Sequence, residues 1–254
     1  LTNRKKVFQY IHEQKIMNPV LHVLCLISTK IIKPKILYSS DFLLNHHINT
    51  LGDGNVLNPF VSDDFFKPLN QELYYKNRIL MVVSLKEYKG VTKFINVSNI
   101  FYLADPVLEF HLVLSCEPSD FEGYLNLNNL VINANLTVHY KPKNIREIYN
   151  LSSVVMNLTQ RDKIIESYGL SLVEAIACGK PILCPDVGGP LEINENEQFG
   201  LFIDERSDED ISRKLRLLVY DKFIYNTKRK ACLKFRNKFS SKTFKLRLVN
   251  LLND

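Results

Sequence analysis

The chain has 254 residues, of which 46% are hydrophobic and 24% charged, and its formal net charge at pH 7 is +6. This composition is typical of a globular protein and excludes a disordered or fibrous chain. No apolar run reaches the 18 residues of a membrane-spanning helix. The mild positive charge is compatible with phosphates, nucleic acid or an anionic membrane and selects none of them. Five cysteines without a C-x-x-C pair indicate reduced thiols in a cytosolic protein.

Apolar runs and turn signals, taken in chain order, predict alternating strands and helices. We expect strands at 6–10, 35–39, 78–85, 110–115, 130–132, 136–139, 153–157, 200–204 and in KPILCP, before a glycine turn. We expect helices at 20–32, 42–49, 91–103, 145–151, from Glu166, at 208–219 and from 221 onward. The alternation from 78 to 219 predicts an α/β fold with a Rossmann-like, doubly wound parallel sheet. Such sheets bind ligands outside the carboxyl ends of their strands.

One apolar stretch, ESYGLSLVEAIACGKPI at 166–182, keeps two acids. Glu166 precedes the predicted helical core and Glu174 lies inside it, with seven residues between them. Gly169 allows a ligand to approach the backbone, and the free N–H groups of a helix N-terminus bind phosphate. The two carboxylates suit hydroxyl groups. A ligand with hydroxyls at both ends and a pyrophosphate between them fits this pattern, which describes a nucleotide sugar.

The same residues resemble the donor-binding domain of retaining GT-B glycosyltransferases of family 4. The resemblance rests on the E-x7-E spacing, on CGKP at 178–181 and on GGP at 188–190 followed by Glu192. It continues in SLKEYKGV at 84–91 and spans about residues 56–250. It implies that the chain is a retaining, nucleotide-sugar-dependent glycosyltransferase of the hexosyltransferase type.

The resemblance implies roles for individual residues around the acidic pair. Glu174 would accept hydrogen bonds from the ribose hydroxyls, and Glu166 would lie against the transferred sugar. The backbone N–H groups of Gly169, Leu170 and Ser171 would bind the sugar or the diphosphate.

The turn after the strand at 78–85 is the second part of the implied site. Lys89, followed by Gly90, would pair with the diphosphate and stabilise the leaving nucleotide. Val83 and Ser84 stand where the family often has Gly-Arg, so Ser84 brings a hydrogen-bond donor but no charge. The resemblance implies a UDP- or GDP-linked donor and no metal cofactor. The acidic runs at 62–64 and 208–210 look like metal motifs and are interpreted as decoys.

The amino-terminal part resembles the end of a first Rossmann-like domain. VFQYIHE at 7–13 resembles the strand-end histidine motif of that domain, which would place His12 across the cleft from the donor sugar. We expect a remnant of the acceptor-side domain and linker at 1–57, a donor-binding domain at 58–236 and a helix at 237–254 that packs back toward the amino-terminal part. Since a complete first domain needs about 150–200 residues, the sequence is interpreted as a fragment or a late-starting gene product.

The resemblance extends to an acceptor and a pathway. The acceptor would be a glycan or a lipid-linked glycan in the biosynthesis of bacterial surface polysaccharide, such as lipopolysaccharide O-antigen or capsule. The enzyme would be cytoplasmic, and a peripheral contact with the cytoplasmic face of the inner membrane would be compatible with this location. A second hypothesis is a non-catalytic remnant that binds nucleotide without transferring sugar, or that serves as an interaction module.

The carboxyl-terminal segment is strongly basic. Its cations are Lys222, Lys228, Arg229, Lys230, Lys234, Arg236, Lys238, Lys242, Lys245 and Arg247. A nucleic-acid binder or a peripheral membrane enzyme would use such a patch. The interpretation favoured by the sequence is a solvated helix face, with no nucleic-acid partner.

Overall fold

The computed structural model describes residues 8–12, 27, 33–67 and 77–253. A small parallel sheet is formed by β1 (Phe8–Ile11), β2 (Lys35–Tyr38) and β3 (Asn55–Val56), in that order. The strands of a larger sheet are β4 (Arg78–Val83), β5 (Glu109–Leu114), β6 (Leu136–Tyr140), β7 (Val154–Met156), β8 (Ile182–Pro185) and β9 (Gly200–Ile203). This sheet is parallel throughout, in the order β6-β5-β4-β7-β8-β9.

Nine α-helices are seen in the described residues. They are α1 (Asp41–His47), α2 (Val91–Ala104), α3 (Pro118–Leu127), α4 (Ile145–Leu151), α5 (Leu170–Ala177), α6 (Gly188–Ile193), α7 (Asp208–Tyr220), α8 (Lys222–Phe235) and α9 (Ser241–Asn253). Short 3₁₀ helices lie at Asp63–Phe66, Glu87–Lys89, Glu195–Glu197 and Arg236–Phe239. Within this part of the chain, no helix is both long enough and apolar enough to cross a bilayer.

The larger sheet is buried on both faces. Ile79 and Met81 of β4 belong to a core cluster with Phe94 of α2. Leu80, between them in sequence, belongs to the cluster on the other face with Val173 of α5. Because successive strand residues point to opposite faces, a strand covered on both sides is apolar throughout, as RILMVV is. The predicted doubly wound parallel sheet is confirmed.

The strand order reverses at β4. This strand pairs with β5 on one side and with β7 on the other. The chain winds outward from β4 to β6 and then returns to build β7, β8 and β9 on the opposite side. The loops that leave β4 and β7 therefore diverge at the carboxyl edge of the sheet, which is where doubly wound folds hold ligands.

The two sheets are joined through α6 and α9. The carboxylate of Glu192 in α6 accepts hydrogen bonds from the backbone N–H groups of Asp41 and Phe42 at the start of α1. In α9, the ring of Phe244 lies 4.9 Å from that of Phe60, and Arg247 donates to Asn58 at 3.2 Å. The division of the chain at 57 and 236 stays a prediction.

Three sequence predictions differ from the structure. The segment 130–132 is not a strand, because the N–H of Leu130 bonds to Leu125 O at 3.0 Å and completes the end of α3, a helix that the sequence analysis missed. The helix expected from Glu166 begins at Leu170, since Gly169 has a left-handed φ of 95°. The predicted glycine turn includes the first turn of α6. The run at 20–32, predicted as a helix, lies outside the described residues except for Ile27.

Gly200 tests how closely β8 and β9 approach. A Cβ atom at this position would lie 1.8 Å from the carbonyl oxygen of Ile182. We expect Gly200→Ala to lower the free energy of unfolding by at least about 2 kcal/mol in urea titrations. The matched control is Gly123→Ala within α3, where no atom beyond the adjacent helix backbone lies within 4 Å of the new Cβ; it should hold or raise stability. Equal effects of the two substitutions on the free energy of unfolding would contradict the close approach of β9 to β8 at Gly200.

Candidate active site

A cleft of about 640 Å³ opens at the carboxyl edge of the larger sheet. Its walls come from the loops after β4, β5, β6 and β7 and from the first half of α5. The predicted site residues that line it are Ser84, Lys89, Glu166, Gly169, Leu170, Ser171 and Glu174. The structure thus brings together residues that the sequence separates by up to ninety positions.

Lys89 and Glu166 are in direct contact. The Nζ atom of Lys89 donates to Oε2 of Glu166 at 2.5 Å, and the hydroxyl of Thr159 donates to the same oxygen at 3.0 Å. The two charged side chains are only 22% and 19% exposed. The pair joins the turn after β4 to the loop after β7, across the point where the strand order reverses.

Gly90 explains how these two loops come so close. Its φ is 79°, and a Cβ atom there would lie 2.2 Å from the carbonyl oxygen of Leu158. The backbone N–H of Gln160 also donates to Tyr88 O at 2.8 Å. Only a glycine permits both the left-handed turn and this approach, so Gly90 fixes the position of Lys89 against the β7 loop.

The double glycine before α6 holds the same loop from another side. The N–H of Gly189 donates to Glu166 O at 2.8 Å. A Cβ atom at Gly189 would lie 2.2 Å from the Cα of Tyr168, and one at Gly188 would lie 2.5 Å from Glu166 O. The glycines in the GGP motif therefore position the backbone of Glu166.

A third anchor was missed by the sequence analysis. Arg161 donates from Nε and Nη2 to the carboxylate of Glu205 at 2.8–3.1 Å, and its backbone N–H reaches the same group at 3.0 Å. Glu205 is fully buried. Arg161 also pairs with Asp186 at 2.7 Å, and these two carboxylates raise the pKa of its guanidinium. The β7 loop is thereby tied to the chain after β8 and β9.

Glu174 is held deeper in the cleft. The hydroxyl of Tyr149, a fully buried residue of α4, donates to Glu174 Oε2 at 2.7 Å. Burial raises the pKa of Glu174 and outweighs the lowering effect of the Tyr149 hydrogen bond. Burial and the nearby Glu174 raise the pKa of Tyr149 well above its ordinary value. Glu174 is thus a partly buried acceptor whose orientation is fixed by one donor.

The backbone at the start of α5 lies between the two acids. Gly169 precedes the helix with a φ of 95°, and Leu170 and Ser171 form its first turn. The first N–H groups of a helix have no acceptor within the helix. They add positive potential to the cleft wall between Glu166 and Glu174.

His12 has a different placement. It directly follows β1, is exposed, and its ring lies 6.4 Å from that of Tyr10. It is not among the residues that line the cleft in the described part of the chain. Its proposed position opposite the donor sugar stays a prediction.

The acidic runs interpreted as decoys have structural contacts. Asp208 pairs with Lys93 at 2.9 Å, and Asp210 accepts from the N–H of Asp204 at 3.0 Å. Asp63 accepts from the hydroxyl of Ser241 at 2.8 Å. Among residues 8–12, 33–67 and 77–253, no group of three or more His, Cys, Asp or Glu side chains is arranged to hold a metal ion.

A doubly wound parallel sheet with a charged cleft at its switch point defines an α/β protein of the nucleotide-binding type. The profile of the family described as glycosyl transferases group 1 matches residues 69–243. The chain belongs to this family.

Individual relatives agree with this assignment. Over 102 residues the chain is 35% identical to a probable sucrose-phosphate synthase 2 of Craterostigma plantagineum, covering 40% of this chain and 9% of that protein. The structure of Anabaena Alr3699/HepE in complex with UDP and glucose superposes with a TM-score of 0.80 at 14% identity, covering 99% of this chain and 72% of that one. A glycosyltransferase from Rickettsia africae gives a TM-score of 0.79 at 16% identity, covering 96% and 69%.

These relatives differ in length from the present chain. The chain spans only 9% of the Craterostigma protein and 16% of the sucrose-phosphate synthase of Spinacia oleracea, to which it is 27% identical over 165 residues. The solved structures share the fold at low sequence identity. The comparisons therefore establish family and fold.

The Arg161–Glu205 pair gives a stability prediction. Replacing Glu205 by Gln leaves a partly buried guanidinium with Asp186 as its remaining charged partner. We expect a loss of about 2–3 kcal/mol in the free energy of unfolding, below the usual 3–5 because one partner persists. Urea unfolding measures it. Asp204→Asn, which breaks an exposed pair with Arg206, is the control and should stay close to the parent chain. Indistinguishable midpoints for the two variants would rule out the anchor.

Proposed function

We propose that this chain binds a nucleotide-sugar donor and, as a retaining GT-B glycosyltransferase of family 4, transfers the sugar to a glycan or lipid-linked acceptor. One observation carries the proposal. The Lys89–Glu166 contact and the partly buried Glu174 line the same cleft, with the N-terminus of α5 between them. The Anabaena relative, whose structure contains UDP and glucose, supports a UDP-type donor.

Glu174 suits the ribose end of such a donor. Its carboxylate is oriented by Tyr149 and partly buried. Hydrogen bonds from hydroxyls to a charged acceptor are worth about 1.5–3 kcal/mol each. A ribose diol would supply two such donors, while a phosphate would be repelled by the same group.

Lys89 and Glu166 suit the junction between sugar and diphosphate. When the glycosidic bond breaks, negative charge grows on the diphosphate, and a fixed ammonium beside it lowers the barrier. Glu166 would accept from sugar hydroxyls once a diphosphate competes for Lys89. The proposal assigns the diphosphate charge to Lys89 and the start of α5, so it requires no metal ion, and EDTA should leave nucleotide affinity unchanged.

The proposed setting is the synthesis of a bacterial surface polysaccharide in the cytoplasm, with His12 facing the donor sugar. A lipid-linked acceptor would bring the enzyme to the inner face of the membrane. The alternative is a nucleotide-binding remnant. It predicts the same nucleotide binding, with no sugar transfer.

Calorimetric titration with UDP and GDP tests the donor site. We expect Glu174→Ala to weaken nucleotide binding at least about tenfold, the equivalent of one charged hydrogen bond. Glu166→Gln should hold or raise UDP affinity, because no carboxylate then competes with the diphosphate for Lys89, but it should remove the extra affinity for UDP-glucose over UDP.

The matched control is Glu147→Gln, an exposed acid on α4 outside the cleft. It should change neither affinity. A folded chain that binds neither UDP nor GDP would refute the donor site. Binding with no sugar transfer across a panel of acceptors would favour the remnant.

The pH dependence of binding follows from the raised pKa of Glu174. Its carboxylate protonates at a higher pH than an ordinary glutamate, and the protonated group loses acceptor strength. We therefore expect UDP affinity to fall as pH is lowered from 8 to 5, beyond the fall caused by the phosphate itself. Glu174→Gln, titrated in parallel, isolates the phosphate contribution.

Tyr149→Phe sharpens this test. It removes the hydrogen bond that favours the charged form of Glu174, so the loss of affinity should begin at higher pH than in the parent chain. A fall that begins at the same pH in both proteins would show that Glu174 does not govern binding.

A further inference from the structure

The last 32 described residues, 222–253, contain no Asp or Glu and all ten cations named above for the basic segment. The whole chain carries a net charge of only +6, so the remainder of the protein is net acidic. The positive charge of the molecule is thus concentrated on α8, the following 3₁₀ turn and α9.

The inner side of α9 is occupied. Phe244 packs on Phe60, and Arg247 binds Asn58. Phe244 and Leu248 also line a groove with residues of the smaller sheet and linker. These contacts fix the orientation of the helix relative to the protein.

The outer side of α9 mixes cations with exposed apolar side chains. Lys242, Lys245, Leu246 and Val249 form what we call the outer strip. At 100° per residue they fall within an arc of about 100°, opposite Phe244. Leu246 is 65% exposed and Val249 51%, and both lysines are exposed.

We propose that the outer strip of α9 docks on an anionic lipid surface. Lysines beside aliphatic side chains on one helix face are the pattern of helices that lie in a membrane interface. The cations attract the anionic headgroups, and Leu246 and Val249 enter the boundary below them. An electrostatic nucleic-acid patch would gain nothing from the two exposed aliphatic groups, so charge and apolarity together favour lipid. This proposal is independent of the donor site, because vesicle binding needs no nucleotide.

Vesicle sedimentation tests the docking. We expect the chain to bind vesicles of phosphatidylglycerol and phosphatidylcholine, and to bind pure phosphatidylcholine at least about tenfold more weakly. Lys242→Gln/Lys245→Gln should reduce binding to anionic vesicles about tenfold or more. The control, Lys143→Gln/Arg213→Gln, removes two exposed cations elsewhere and should leave binding within about twofold. Equal losses from both pairs would overturn the proposal in favour of non-specific charge attraction.

The apolar part has its own controls. Leu246→Ser/Val249→Ser should weaken vesicle binding, whereas Leu127→Ser/Val131→Ser, at positions 83% and 67% exposed, should not. The chain contains no tryptophan, so Leu246→Trp provides a single tryptophan, which can be excited apart from the tyrosines and whose emission should shift to the blue on anionic vesicles. Leu127→Trp should not shift.

Two results would refute the docking. One is no blue shift and no sedimentation with a chain whose far-ultraviolet circular dichroism is that of a folded protein. The other is binding to DNA that is as strong as binding to anionic vesicles and that the Leu246→Ser/Val249→Ser pair leaves unchanged. That result would assign the surface to nucleic acid.

Discussion

The cleft depends on the close contact between the loop after β7 and the backbone on both sides of it. Gly90 lies against Leu158, and Gly188 and Gly189 lie against the chain that carries Glu166. A Cβ atom at any of these positions would lie 2.2–2.5 Å from backbone atoms of the loop, so the loop would have to move. Backbone packing of this kind restricts the position of Glu166 more than side-chain contacts alone would. The loop cannot shift without disturbing the turn at Gly90 and the turn before α6.

In the proposed donor site, the charges at the cleft would exchange partners when the donor binds. Lys89 and Glu166 are mostly shielded from water before any ligand arrives. Part of the free-energy cost of removing these two charges from water is therefore already included in the folding of the protein. A diphosphate that replaces Glu166 beside Lys89 would find an ammonium group in a fixed position. Because the ammonium group is already in place, little reorganisation is needed when the bond breaks. Preorganisation of this kind is the main source of electrostatic catalysis.

The larger sheet can be predicted from the sequence because each strand and each turn is marked by residues that are consecutive in the chain. Buried parallel strands are short apolar runs, and the glycine motifs mark turns at the same edge of the sheet. The Arg161–Glu205 pair leaves no such signal, since its members are 44 residues apart and neither sits in a periodic pattern. The sequence predicts the helices that carry Tyr149 and Glu174, but their contact leaves no local signal, since the two residues are 25 positions apart. The missed α3 has a different cause: its polar sequence, PSDFEGYLNL, buries mainly Phe121, and a helix with so narrow an apolar face resembles a loop.

α9 has two sides with separate constraints. Its inner side contacts Phe60 and Asn58 of the linker through Phe244 and Arg247, so changes there act on the fold. The outer strip contributes little to folding, because Leu246 and Val249 remain largely in water. Folding therefore explains Phe244 and Arg247 on the inner side, but it gives no reason for aliphatic groups among the lysines of the outer side. An interface with lipid supplies that reason, and it acts through a surface separate from the residues that line the cleft.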